Sequence, residues 1–395
     1  MSAQEQNCFS IDIPEGENLD NWLKSEAIKG LKFRLETQAL HGFLHSINDN
    51  VKKLYLDRLT HELMIISNKG YSAYFLIARD IIKKAVSDNI PTGPGRGLLA
   101  SSLTAWCLQI TDLDPIYCKL QFELSLNNND NNSAVFEFDT CCDRGEYLIH
   151  HVLTHILKQT ESECKCRYHL PKSKKGEIVN IGTSKFVFKD VCDLTMIFDI
   201  EQYINVTYEK SANKKLNMRN LGFDGFDCFK PNVNSNSETI GNEILAFRLD
   251  WLKTHYPLPF MASVLQINLG NAKKQVKFLE QCQSMNISVL PPDINKSYSN
   301  FTIENIHIRF GLSGVNNVER EVAEIIVLSR CCELFSDLFA LCSVVVKSNF
   351  KIKKIKRNIK SLIKSGACDC FGFSQEKMLE ILPNTLKKAY EINST

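Results

Sequence analysis

The 395-residue sequence has no apolar run approaching the roughly 18 residues that a membrane-crossing helix needs, so no membrane association is expected. Met1 to Glu15 carries acidic residues where a secretory leader would be basic and then apolar. The expected location is therefore cytoplasmic. A surplus of one charge sign is also missing, because 47 Lys and Arg face 45 Asp and Glu for a net charge of +2. That balance excludes attraction of nucleic acid to the whole surface and confines any electrostatic footprint to a local patch. The 15 cysteines are scattered through a long chain without the export context of a disulfide scaffold. They read mostly as free thiols, with Cys141, Cys142, Cys368 and Cys370 as small buried hydrophobes rather than nucleophiles. No internal repeat is present.

The hydrophobic share of 44% is enough for a sizeable core, and the length suggests two or three domains. Apolar residues at helical spacing (Leu19, Trp22, Leu23, Ile28, Leu31) read as short helices before about Asn50. A helix from Val51 to Ile66 ends at Lys69-Gly70, where glycine supplies a left-handed cap. Another runs from about Tyr71 to Val86. Ile90-Pro-Thr-Gly-Pro-Gly-Arg-Gly97 cannot be helical, since its prolines and glycines break hydrogen bonding, and a helix from Leu98 to Leu108 follows. Asn127 to Ser133 is a polar turn cluster, and the alternation Val135-Phe-Glu-Phe-Asp139 predicts a strand. Polar stretches near residues 159–176 and 209–238 read as linkers. Beyond Asn242 helices dominate, at Ile244 to His255, Ala272 to Met285, Glu319 to Cys332 and Gln375 to Ile392.

Near the C-terminus Lys347, Lys351, Lys353, Lys354, Lys356, Arg357, Lys360 and Lys364 interleave with Ile352, Ile355, Ile359 and Ile363. This predicts an amphipathic helix with one cationic face. Lys351, Lys353, Lys354, Lys356, Arg357 and Lys360 are the candidate DNA contacts, binding duplex weakly and without sequence preference; a merely solvated lysine face is the alternative. Cys164, Cys166 and His169, with His151 and His155 one helical turn apart, form a weaker zinc alternative.

Gly70-Tyr-Ser-Ala-Tyr-Phe-Leu-Ile77, Asn89-Ile-Pro-Thr-Gly-Pro-Gly-Arg-Gly97 and Ile110-Thr-Asp-Leu-Asp-Pro115, in that order, resemble consecutive palm motifs of the bacterial C-family DNA polymerases, the polymerase III alpha subunits. Trp251 to Pro257, Phe260-Met-Ala262, Leu290 to Asn295 and Arg309-Phe-Gly311 resemble the end of the fingers and the region beyond it, and Lys364-Ser-Gly-Ala367 with Asp369 resembles the next helical module. The resemblance implies that the amino-terminal PHP domain is missing. It also implies an internal deletion between about Asp199 and Ser235 that removes part of the palm and most of the fingers.

The fold implied is α+β: a polymerase-beta-like palm remnant with a small mixed sheet, followed by a mainly helical C-terminal half. Five segments are expected: a helical lead-in (1–69), the palm remnant (70–200), a variable linker at the deletion junction (201–241), a fingers-end helical region (242–311), and a degenerate helix-hairpin-helix-like module with the basic helix (312–395).

The activity implied is templated nucleotidyl transfer, in which carboxylates clamp two magnesium ions about 4 Å apart. Laid without gaps from Gly97, the family's Pro-Asp-x-Asp-x-Asp-Phe strand falls on Ala134 to Thr140. Val135 and Glu137 thus stand where the first two aspartates would be, followed by Asp139, and an isopropyl group cannot bind magnesium. Glu137 and Asp139 are the remnant catalytic and metal positions, with Mg2+ as the cofactor of any activity. Gly93, Gly95, Arg96, Gly97, Ser101 and Ser102 are the candidate nucleotide-phosphate contacts, although the glycines also suit a plain turn. The phosphate-touching Gly-Val-Gly turn of a helix-hairpin-helix falls on Asn317-Val-Glu319, and the acid there would repel phosphate. The reading is a non-catalytic polymerase remnant. The alternatives are a DNA- or replisome-binding module, or a decaying gene copy without selected function.

Overall fold

The computed structural model describes residues 11, 13–40, 48–122, 134–141, 144–158, 177–181, 183–208, 236–330, 333–347 and 350–393. The polar cluster 127–133, Cys142, Cys164, Cys166, His169 and most of the expected junction lie outside these. The chain divides into two compact units, Met1–Phe198 with Leu216–Trp251, and Asp199–Lys215 with Leu252–Thr395.

In the first unit, Leu19–Leu40 (α1) is one helix rather than the short pieces expected. Leu23, Ala27, Leu31 and Leu35 make an unbroken buried stripe along it. At Gly30 a Cβ would stand 1.9 Å from the Cys107 carbonyl oxygen, so the bare glycine permits close helix packing that outweighs its poor helix propensity. Asp49–Asn68 (α2) starts at Asn48, whose side chain accepts from the Val51 amide, and ends before Gly70, whose φ of 70° is the left-handed turn expected. Ser72–Ser87 (α3) buries Phe75, Ile77, Ala78, Ile81 and Ala85.

The single helix expected from Leu98 to Leu108 is broken into Gly97–Ser101 (α4) and Leu103–Cys107 (α5). The cause is Glu62 of α2, fully buried, which accepts from the Leu103 and Thr104 amides and the Ser102 hydroxyl, each at 3.0 Å. A long-range carboxylate thus caps α5 and holds Ser102 extended. Arg58 balances that charge at 2.7 Å.

Val135–Thr140 (β1), Glu177–Ile181 (β2) and Ser184–Asp190 (β3) form a mixed sheet in the order β1-β3-β2, with β1 parallel and β2 antiparallel to β3. Strand alternation separates its faces. Phe136, Phe138, Phe186 and Phe188 stack on the core side, Phe136 over Phe186 with centroids 4.9 Å apart. Phe75 of α3 meets Phe136 edge-on at 5.5 Å. Burying each such ring is worth roughly 1.5–3 kcal/mol, which fixes the register and commits Glu137 and Asp139 to the other face. Gly145–His151 (α6) follows β1, Cys192–Tyr208 (α7) follows β3, and Ser237–His255 (α8) packs Ile240 and Ile244 against Ala100 and Leu113.

In the second unit, Pro257–Ile267 (α9) and Ala272–Ser284 (α10) pack around Met261, Leu265, Cys282, Phe301 and Ile308. Val289–Leu290 (β4), Thr302–Glu304 (β5) and His307–Arg309 (β6) form a second mixed sheet, β4-β6-β5, which the sequence did not predict because such short strands carry no measurable alternation. Arg320–Arg330 (α11), Leu338–Val346 (α12), Ile352–Lys364 (α13) and Gln375–Asn393 (α14) enclose the largest apolar cluster of this unit. Helix α13 is the basic amphipathic helix expected. Its buried face is Ile355, Ile359, Leu362 and Ile363, whereas Ile352, expected there, is 58% exposed.

Candidate functional site

The loop from Thr92 to Gly97 lies across the end of β1. Thr92 bridges Thr140, and the Gly93 amide donates to the Asp139 carbonyl at 2.9 Å. A Cβ at Gly93 would stand 2.7 Å from that of Asp139, and one at Gly97 would stand 2.8 Å from Glu137 Oε2. Gly95 has φ 129°, and a side chain there would meet Thr111 Oγ1 at 2.1 Å. The glycines are thus needed for the loop to lie against the acidic strand.

Glu137 and Asp139 emerge on the same face of β1, as their spacing requires. Each is held by a cation of the chain itself. Arg96 Nε donates to both oxygens of Asp139, at 2.9 and 3.1 Å, while Arg96 Nη1 pairs with Glu238 of α8. Lys189 of β3 pairs with Glu137 at 2.8 Å. Burial lifts the Asp139 carboxyl above the ordinary aspartate range, and the facing Arg96 pulls it down without cancelling that effect. Val135, the third position on this face, is 40% exposed.

Lys189 and Glu238 escaped the sequence reading. For Lys189 a signal existed, in the alternation Lys185, Val187, Lys189 opposite three aromatic and serine positions. For Glu238 there was none.

The other candidate phosphate contacts serve the scaffold. Ser102 is fully buried, accepting from the Ala105 amide and donating to Glu62, and Ser101 donates to the Leu98 carbonyl. The acids of Ile110-Thr-Asp-Leu-Asp-Pro115 are engaged too. Asp114 accepts from the Tyr55 hydroxyl at 2.6 Å and caps the turn at Ile116, and Asp112 pairs with Arg248.

A two-magnesium centre needs several ionised oxygens facing the ions. Here two carboxylates share the face, each has an ammonium or guanidinium against it, and the third position is valine. Among the described residues no three His, Cys, Asp or Glu side chains converge on a point. The donor set does not fit the group. His151 and His155 stack at 4.7 Å, with His151 bonded to Asp80 at 2.9 Å.

On the basic helix, Lys353, Lys356, Arg357 and Lys360 are exposed, Lys354 is half-buried, and exposed Lys351 forms the N-cap. Asn317 has φ 63°, the conformation for which glycine is the easier choice, and the Glu319 amide donates to the side chain of buried Asn358 at 2.7 Å.

Two family models match the chain. Residues 21–162 match the bacterial DNA polymerase III alpha NTPase domain, and residues 286–378 match a helix-hairpin-helix motif. The chain is related to the bacterial DNA polymerase III alpha family. Among alpha subunits, that of Xylella fastidiosa strain Temecula1 is 39% identical over 140 residues, 35% of this chain and 11% of the relative. That of Buchnera aphidicola subsp. Schizaphis graminum is 38% identical over 176 residues, covering 44% and 14%. That of Rickettsia conorii is 37% identical over 194 residues, covering 48% and 15%. These matches thus take in only a small part of each alpha subunit's length. Both the glycine loop and the acidic strand β1 lie within the segment that matches the alpha-subunit model, and α13 lies within the helix-hairpin-helix segment.

Proposed function

We propose that the first unit is a polymerase-beta-like palm remnant without nucleotidyl-transfer activity, and that the chain acts as a DNA-binding module through its helix-hairpin-helix segment. The observation that carries this reading is the pairing of Asp139 with Arg96 and of Glu137 with Lys189. A carboxylate engaged by a protein cation offers a magnesium ion less negative charge, and a metal taking Asp139 would strip Arg96 of that partner in a poorly solvated setting. Support for DNA binding is the match to the helix-hairpin-helix motif and the exposed lysines of α13 inside it. Contacts of this kind engage phosphates, not bases, so binding is expected to duplex DNA, without sequence preference and falling steeply with salt. Other replisome subunits are a further class of partner that such a module suits.

Primer extension with Mg2+ and all four deoxynucleoside triphosphates tests the first half. The expectation is no incorporation above a protein-free blank, and incorporation would overturn it. A gel shift with duplex DNA tests the second half: a shift near 50 mM salt that disappears toward 200 mM is expected, and no shift at the lower salt would refute DNA binding.

A further inference from the structure

Glu319 stands on the hairpin turn immediately before α11, and its carboxylate faces α13. Arg357 Nη2 donates to one oxygen at 2.8 Å, and Lys354 pairs with the other. Lys354 is also held over the Phe350 ring at 4.4 Å. Two of the cations proposed for DNA contact therefore already have an anion. Lys353, Lys356, Lys360 and Lys364 differ: all are exposed, and none has an ion-pair partner among the described residues. Their spacing of three or four residues puts them on one strip of the helix.

We propose that Glu319 is an internal surrogate for a phosphate. It fills the anion position between the hairpin turn and α13, takes Lys354 and Arg357 out of DNA contact, and leaves the duplex backbone to the strip Lys353, Lys356, Lys360 and Lys364. A phosphate approaching Lys354 would have to displace a tethered carboxylate or accept its repulsion, whereas the strip presents neither obstacle. From Lys353 to Lys364 the strip is roughly 16 Å long, enough to meet several of the closely spaced charges of a duplex. This inference rests on the DNA-binding reading above and specifies which face carries it.

The test is fluorescence anisotropy of a labelled duplex with the full chain across a salt series. Each phosphate contact contributes about 0.9 to the slope of log K against log salt. Lys356→Ala and Lys360→Ala should each lower the slope by about that amount, while Lys354→Ala and Arg357→Ala leave it unchanged. Glu319→Gln, which keeps the side-chain shape, should steepen the slope by up to about 1.8 and tighten binding. An unchanged slope in Glu319→Gln, or a loss in Lys354→Ala equal to that in Lys356→Ala, overturns the surrogate while DNA binding stands. If the unvaried chain fails to bind, the DNA-binding reading falls and takes this inference with it. Should Glu319→Gln lose its cooperative thermal transition, the comparison of Lys354→Ala with Lys356→Ala still decides.

Discussion

Arg96 and Asp139, 43 residues apart, form a two-pronged contact in which one guanidinium nitrogen reaches both carboxylate oxygens, at 2.9 and 3.1 Å. The Asp139 side chain is only 4% exposed and that of Arg96 11%. Neither can exchange its partner for water without moving. An arginine read as a phosphate contact and an aspartate read as a metal ligand thus satisfy each other.

Replacing Arg96 by Ala should therefore cost about 3–5 kcal/mol of unfolding free energy, because it leaves a buried carboxylate alone. Adding Asp139→Asn to that variant should recover much of the loss. Urea unfolding of the single and double variants measures both, and a single variant within about 0.5 kcal/mol of the parent would contradict the buried pair.

Gly95→Ala should destabilise by at least about 2 kcal/mol, since the added methyl meets Thr111 in a backbone region that alanine avoids. Gly372→Ala is the control, because its φ is also positive but nothing lies within 4 Å. If unfolding shows equal losses at both positions, backbone strain alone accounts for them and the close approach to Thr111 contributes nothing.

Restoring aspartate at both strand positions, Val135→Asp with Glu137→Asp, should not create Mg2+-dependent primer extension. Arg96 still holds Asp139 and Lys189 still faces position 137, so the restored carboxylates meet cations already in place. A single-nucleotide incorporation assay decides this, and activity in the double variant would show that the loss lay in those two side chains alone.

Asp199 gives a pH dependence. Burial pushes its carboxyl up to about 6 from an ordinary 3.8. Between those values the folded chain holds a proton that the unfolded chain has lost, so this group's contribution to stability falls as pH rises from about 4 to 6 and stays low above that. At pH 7 the penalty is at most about 3 kcal/mol. Asp199→Asn should be more stable than the parent at pH 7 and indistinguishable near pH 4. Thermal unfolding at both values checks the difference, and a variant less stable at pH 7 would refute it.

The sequence by itself determined whatever depends on near neighbours along the chain. Alternation from Val135 to Asp139 set the strand and the common face of Glu137 and Asp139. Prolines and glycines from Pro91 to Gly95 ruled out helix as far as Arg96, although Gly97, expected outside any helix, opens α4, and isoleucines at helical spacing among lysines defined α13. Only the tertiary structure decided where the charges go. Glu62 breaks a helix about 40 residues downstream, Arg96 meets Asp139, and Glu319 takes Arg357 from 38 residues away. Periodicity reports which face a residue occupies, because that is fixed by backbone geometry every two or 3.6 residues. It carries no record of which opposite charge the fold brings within 3 Å, and in this chain those pairings set Arg96 and Lys189 against the two acids of β1.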